Sequence, residues 1–380
     1  MMNWFRQLIK PEYEPLNRVE IIQQNILDNF SYLQSLQPGK DVWPVLKSNA
    51  YGHGLKEICR ILNKTSAQMV VVDSFPEAQI AYRYFKGRVL ILGEMPLAAY
   101  RYANFSRTEF CVYNIKTFKY LACYHAGAKV HLFINTGMNR EGIGNLDLFL
   151  AEVAADLPRL QIVGLASHLS SADTDSDLNQ KQTAAFFAAL DKLKAKGINP
   201  SALHLGNSAA IFSWPDSRLT AYRAGLALYG YNPFLPSSAH YLPALKLKPA
   251  LRVISQVVVI QALEAGSSVS YNESYIATQP TNIAIIPFGY FEGLDRGLSN
   301  QAEFRCLSLH PFYAKIAGRV CMNLTALDIN NNPLSVGDRV EVISADPLAP
   351  NCVSNLAKLS DTIPYEVLVR IQANIHRQVV

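Results

Sequence analysis

The chain has 380 residues, 49% of them hydrophobic and 17% charged, with a formal net charge of +5. That apolar content excludes global disorder, and the length suits two domains or one large barrel with an appendage. The basic residues form no block that would bind nucleic acid, and no run of about 18 apolar residues offers a membrane span.

The six cysteines, Cys59, Cys111, Cys123, Cys306, Cys321 and Cys352, are scattered and include no CxxC pair. They read as thiols in a reducing compartment, not as a disulfide frame or a metal site. The first ten residues are amphipathic but lack the apolar core of a signal peptide. A cytoplasmic soluble enzyme is expected.

Residues 1–15 read as a loose lead-in, and apolar spacing predicts a helix over 17–36, ended by Pro38 and Gly39. Apolar stretches at 42–47, 67–73, 88–93, 108–113, 129–135, 160–167, 202–206 and 221–229 then predict strands. Helical patterns fall between them, as at 55–62, 76–85, 115–125, 146–155 and 178–194. Strict alternation implies parallel strands, and eight of them fit a (β/α)8 TIM-type barrel. An open doubly wound sheet is the structural alternative, but no GxGxxG follows the first strand. After about 245 the pattern changes. Strands are expected at 251–263, 281–287, 304–309, 313–319, 324–329 and 339–343, with helices only at 353–359 and 365–375. The expected fold is α/β: a barrel domain over 1–245, then a mostly-β domain over 246–380, with Pro243 and Pro249 bracketing the junction.

The stretch 42–54 reads VWPVLKSNAYGHG. Lys47 ends a short buried strand and so points toward the loops where α/β folds bind ligands. Burial lowers an amine's pKa, and a neutral amine can attack a carbonyl. A lone lysine at such a place is ordinarily solvated, but Tyr51 adds a phenol able to hold a phosphate.

Lysine, tyrosine and GHG at this spacing resemble the cofactor site of the alanine racemase family, whose members carry pyridoxal 5'-phosphate. The resemblance runs through nearly the whole chain. INTGMNREG (134–142) is similar to the family's substrate loop, so Arg140 would bind the substrate carboxylate. On chemistry alone Arg140 could equally cap a turn, although a guanidinium does fork onto carboxylates. His168 ends the sixth strand and His204 follows the seventh, where either could be an ordinary core residue; the resemblance puts His168 at the cofactor and makes it, polarised by Arg223, the neighbour that activates Tyr271. HLGNSAA (204–210) would bring Asn207 and Ser208 to the cofactor, Ser208 opening a short helix. YRAGLALYG (222–230) carries Arg223, matched to the arginine facing the pyridine nitrogen, and Gly225 and Leu226, whose N–H groups would hold the phosphate. Arginine does not give up its proton, so that nitrogen would stay unprotonated. Barrels often bind phosphate after strands seven and eight, where Ser208 and Gly225 fall.

In the second domain, SVSYN (268–272), IPFGYFEG (286–293), GRVCMN (318–323) and TIPYE (362–366) match further family positions. Tyr271 would be the second catalytic base, opposite Lys47. Tyr290 and Met322 would contact substrate, and Tyr365 the phosphate. Such tyrosines otherwise mostly serve packing. Because the family takes these residues from a partner subunit, the resemblance implies a homodimer with shared sites. It implies racemisation of alanine by two bases, supplying D-alanine for peptidoglycan. The chain departs from the family at Phe133, where many members have a carbamylated lysine, at Asn135, where they have an acid, and at Asn323. The change at 133–135 is closer to racemases of broad substrate range, so a broad-specificity amino-acid racemase is the alternative. A non-catalytic cofactor-binding barrel would lack the second domain, and a decarboxylase of the same fold is a further rival. With no lysine at 133, Arg140 would need a small anion, water or Glu141 as its partner, and Glu141 is expected to point away.

Overall fold

The computed structural model describes residues 14–235, 238–241 and 245–380. The lead-in over 1–13 and Pro243 lie outside them. The chain forms two compact units, one of residues 21–250 with the last two residues, the other of 14–20 with 251–378. The junction expected at 245/246 thus compares with a boundary between Ala250 and Leu251.

The chain begins with a strand, β1 (Arg18–Ile21), where apolar spacing predicts helix; the helix proper is Gln23–Leu36. All four residues of β1 are buried. Burial of Glu20 is tolerated because Arg18 donates to one carboxylate oxygen at 2.7 Å and Arg252 to the other.

Eight strands follow in the first unit: β2 (Asp41–Pro44), β3 (Met69–Val72), β4 (Arg88–Ile91), β5 (Thr108–Val112), β6 (Lys129–Phe133), β7 (Gln161–Ala166), β8 (Ala202–His204) and β9 (Ala221–Ala224). β3 to β8 form one parallel sheet, and β2 pairs in parallel with β9. Backbone bonds join the two groups at both ends. Leu46 N–H donates to Val71 O at 2.7 Å, and Thr220 N–H to Leu203 O at 3.0 Å. The eight strands therefore close into a barrel. Helices Leu55–Leu62, Phe75–Tyr84, Ile115–Tyr124, Leu146–Glu152, Asp177–Ala195 and Ser208–Ser213 alternate with them. Closure leaves the strands short and buried on both faces, which explains their near-continuous apolar runs. The eighth strand stops at Ala224, not 229, because Gly225 turns the chain into a 3-10 turn, Leu226–Tyr229.

The second unit holds β10 (Leu251–Gln256), β11 (Val259–Leu263), β12 (Ser268–Val269), β13 (Tyr275–Ile276), β14 (Thr281–Ile286), β15 (Glu303–Leu307), β16 (Phe312–Ile316), β17 (Thr325–Asn330), β18 (Arg339–Ile343) and β19 (His376–Val379). The main sheet runs β11-β14-β17-β16-β15-β18-β10-β1-β19. The single strand expected over 251–263 is two strands. β10 pairs with β18 while β11 pairs with β14 at the sheet's edge, so the chain must break at Val257 to change partners. The sequence offers no sign of the β12–β13 hairpin, whose strands are two residues each. Short helices Val353–Leu359 and Pro364–Arg370 precede β19. No helix among the described residues is long and apolar enough to cross a membrane.

Candidate active site

Lys47 leaves the C-terminal end of β2 and enters an unusual backbone. Ser48, Asn49, Ala50 and Tyr51 all have φ between 53° and 55°, one turn of left-handed helix without a glycine. Each such residue costs roughly 1–2 kcal/mol, so surrounding contacts must impose the turn. Ala50 N–H donates to Leu46 O at 2.8 Å, and Ser48 N–H to Glu77 Oε1 at 2.6 Å. Asn49 Oδ1 accepts Leu55 N–H at 2.9 Å, tying the turn to the next helix. Tyr229 stacks on the Tyr51 ring at 5.0 Å and donates its hydroxyl proton to Val45 O at 2.8 Å. The turn swings Tyr51 inward, where it is buried.

Tyr51 reaches the start of the last turn of the barrel. A Cβ added to Gly225 would lie 2.5 Å from the Tyr51 hydroxyl oxygen, so this close approach requires glycine. Ser208 Oγ accepts Gly225 N–H at 2.8 Å and Ala227 N–H at 3.3 Å. Hydroxyls of Tyr51 and Ser208 thus meet the backbone at Gly225. Asn207 caps its helix, its Oδ1 accepting from Ala209 and Ala210 N–H at 3.1 and 3.2 Å. The helix start expected to hold phosphate is therefore already occupied at two N–H groups by its own cap.

Arg223 is buried and donates to His204 Nδ1 and His204 O, both at 2.7 Å, to Ser167 O at 2.6 Å and to His168 Nδ1 at 3.1 Å. Burial, then the charges of Arg223, Arg140 and Lys47, push the His168 pKa down to about 3. His168 is neutral at physiological pH, and since Nδ1 faces a donor its proton sits on Nε2.

Arg140 shares no hydrogen bond with this cluster among the described residues, although its charge acts on His168. It is half exposed and pairs with Glu141 at 2.5 Å, so Glu141 does not point away from it. Phe133 is buried against the ring of Tyr113 at 5.0 Å. Asn135 organises its own loop, its Oδ1 accepting Gly137 and Asn139 N–H at 3.0 and 3.1 Å.

In the second unit, Tyr271, Tyr290 and Met322 are brought to one surface. Ser270 donates to Arg319 O at 2.8 Å, Tyr290 N–H to Cys321 O at 3.0 Å, and Phe291 N–H to Met322 O at 2.8 Å. Gly318, at φ 84°, allows this: a Cβ there would lie 2.6 Å from Val269 O. Asn323 donates to Glu292 at 2.9 Å. The side chains remain exposed, Tyr271 at 66%, Met322 at 55% and Tyr290 at 44%. Tyr365 lies on the helix Pro364–Arg370 and is also partly exposed.

Sequence reasoning missed Tyr229, which braces the left-handed turn, and two buried polar residues, Glu109 and His131. The signal for the latter was available: Glu109 interrupts the apolar strand TEFCV, and His131 interrupts KVHLF.

Family comparison agrees with the sequence resemblance. Residues 21–233 match the alanine racemase N-terminal domain and residues 250–379 the alanine racemase C-terminal domain. Alanine racemase 2 of Caldanaerobacter subterraneus subsp. tengcongensis is 31% identical over 370 residues, covering 95% of this chain and 94% of that protein. The alanine racemase of D-cycloserine-producing Streptomyces lavendulae has the same fold, with a TM-score of 0.88, 26% identity and coverage of 97% and 98%. The Bartonella henselae alanine racemase with covalently bound pyridoxal phosphate shares the fold at a TM-score of 0.84, 23% identity and coverage of 97% and 100%. With both family domains matched in order and a relative above 30% identity across almost its full length, the chain belongs to the alanine racemase family.

Proposed function

We propose that this chain is a pyridoxal 5'-phosphate-dependent racemase of alanine, acting as a cytoplasmic homodimer and supplying D-alanine for peptidoglycan. The observation that carries the reading is the convergence at one barrel mouth of the Tyr51 and Ser208 hydroxyls on Gly225. The donor set fits the cofactor: the Tyr51 and Ser208 hydroxyls for a phosphate, and a buried guanidinium, Arg223, for a ring nitrogen. Lys47 would hold the group covalently, with Tyr51, Asn207, Ser208, Gly225, Leu226 and Tyr365 on the phosphate side and His168 near the ring. When bound, the cofactor would withdraw electrons from the substrate's α-carbon and acidify its proton.

Inversion then needs a base on each face. Tyr271 would take the α-proton of L-alanine and Lys47 that of D-alanine. His168 carries its proton on Nε2, so its part would be to donate a hydrogen bond to a phenolate, not to accept the phenol's proton. Arg140 would hold the carboxylate, with Met322 and Tyr290 bounding the substrate. The test is borohydride reduction with bound cofactor and peptide mapping, alongside chiral analysis of alanine. Label on a lysine other than Lys47, or no racemisation, would reject the reading.

A broad-specificity amino-acid racemase is the second reading. The half-exposed Arg140, paired with its neighbour Glu141, and the neutral Phe133 and Asn135 favour it. Assay of a panel of L-amino acids separates the two.

A further inference from the structure

Beyond the residues named so far, the barrel interior holds a row of buried polar side chains that the two-base reading does not use. His204 Nε2 lies 2.8 Å from His131 Nδ1, and His131 Nε2 lies 2.7 Å from Glu109 Oε2. Glu109 Oε1 accepts from Arg88 at 2.5 Å. Glu109, His131 and His204 are almost wholly buried, while Arg88 is half exposed. Arg88 and Glu109 line a cavity of about 150 Å³ with Asp41, Ser201 and Thr220, residues at or beside the starts of barrel strands. The row therefore runs from Arg223 toward the mouth opposite Lys47. Room for it is built in. The β6–β7 register shifts between Val130 and His131, and a Cβ on Gly164 would collide with the His131 ring.

The direction of every bond in the row follows from its two ends. A guanidinium only donates, so His204 accepts at Nδ1 and, being neutral, carries its proton on Nε2. That proton goes to His131 Nδ1, which leaves the His131 proton on Nε2, donated to Glu109. A proton on His131 Nδ1 would leave His204 with no proton on either nitrogen, so the alternative arrangement is closed. Burial and then the charge of Arg223 hold the His204 pKa far below its ordinary value. Burial opposes the charge of Glu109, but its bond to His131 and its charge pairing and hydrogen bond with Arg88 outweigh this and keep the carboxyl below the usual range. Bonds aligned in one sense polarise one another in a low-dielectric interior.

We propose that Glu109 and His131 are positioning residues for Arg223: the carboxylate, two imidazoles away, accepts the last proton of a row whose tautomers Arg223 dictates, and its charge tunes how strongly Arg223 donates toward the cofactor's ring nitrogen. The second half rests on the reading of Arg223 given under Proposed function; the tautomers do not.

The experiment has two arms. The first uses 15N-histidine-labelled protein without cofactor. Both His131 and His204 should show neutral rings protonated at Nε2. A ring protonated at Nδ1, or a charged ring near pH 7, would overturn the proposal, and no variant has to fold for this arm. The second compares E109Q with wild type after loading with pyridoxal 5'-phosphate. The amide introduced by E109Q can still accept from His131 but lacks the charge. The absorbance maximum of the bound cofactor should shift, and kcat should fall on the order of tenfold with KM little changed, the scale usual for residues that orient a direct ligand contact. E109D should recover part of both. An E109Q enzyme with lowered Tm but wild-type spectrum and kcat would show a structural role only and overturn the proposal. Failure of wild type to bind the cofactor at all, with the tautomers as stated, would instead strike the cofactor reading and uphold the row.

Discussion

The barrel mouth and the tyrosine-bearing surface of the second unit are built on opposite lines. In the barrel, Tyr51, Ser208, Arg223, His204 and His131 are buried and held by specific bonds within their own unit. In the second unit the backbone is just as firmly tied, through Ser270, Gly318 and Cys321, but Tyr271, Tyr290 and Met322 project into solvent. One region is a finished pocket wall. The other is a set of large, partly exposed side chains on a rigid base. Exposed aromatic and methionine side chains presented this way mark a surface meant to face something else.

The bluntest way to break the comparison is in the barrel. K47A should abolish racemisation and remove borohydride-fixed cofactor; retained label would mean that another lysine does the work. Next comes the exposed side. Y271F should lower racemisation by about 10²–10⁴-fold, the usual loss for a general base, while leaving cofactor binding intact. Loss of cofactor in Y271F would show that the surface is part of the pocket wall after all. Mixing K47A and Y271F chains sharpens the contrast further. If the exposed residues serve a partner's barrel, exchange of subunits should restore a fraction of activity, and demonstrated exchange without rescue would make each chain self-sufficient. A smaller effect is expected at Arg140. With Phe133 in place of a modifiable lysine, bicarbonate added to CO2-depleted buffer should change the rate little; clear rescue would reveal another carbamylated lysine. The slightest effect concerns β1. Glu20 is opposed by burial, yet Arg18 and Arg252 hold its pKa below the ordinary 4.5. Its stabilisation is therefore present above about 4.5 and is lost as pH falls through the lower folded value. E20Q should flatten the acid limb of the stability curve, read as Tm against pH.

Alternating strands and helices made the barrel legible, because each strand announced itself as an apolar run and each helix by its spacing. Lys47 and Tyr51 stood out as a lysine and a phenol after a buried strand, whereas Arg223 was singled out only by the family resemblance. The β1 strand was not legible: Val19 and Ile21 also fit the helical spacing that continues through Ile26, and what decides the matter is pairing with β10 and β19 and the bond of Arg252 to Glu20, all more than 200 residues on. Nor was the left-handed turn. Ser48 to Tyr51 contain no glycine, and the contacts that impose it come from Glu77 and Tyr229. Glu109, His131 and His204 each looked like an isolated polar residue, since their partners are 22 and 73 positions away.

The clasp between Tyr229 and Val45 spans 184 positions of sequence. β2, which leads into Lys47, is also paired along its length with β9, the final barrel strand. A chain emerging from the ribosome thus makes its lysine early but lacks the strand that orients it until the barrel is nearly finished. Contacts so distant form late, because the intervening loop must first be closed. If Lys47 holds the cofactor as proposed, its capture is coupled to completion of the fold, and a truncated or stalled chain would present Lys47 as an ordinary surface amine. In refolding, the return of lysine reactivity would report barrel closure itself.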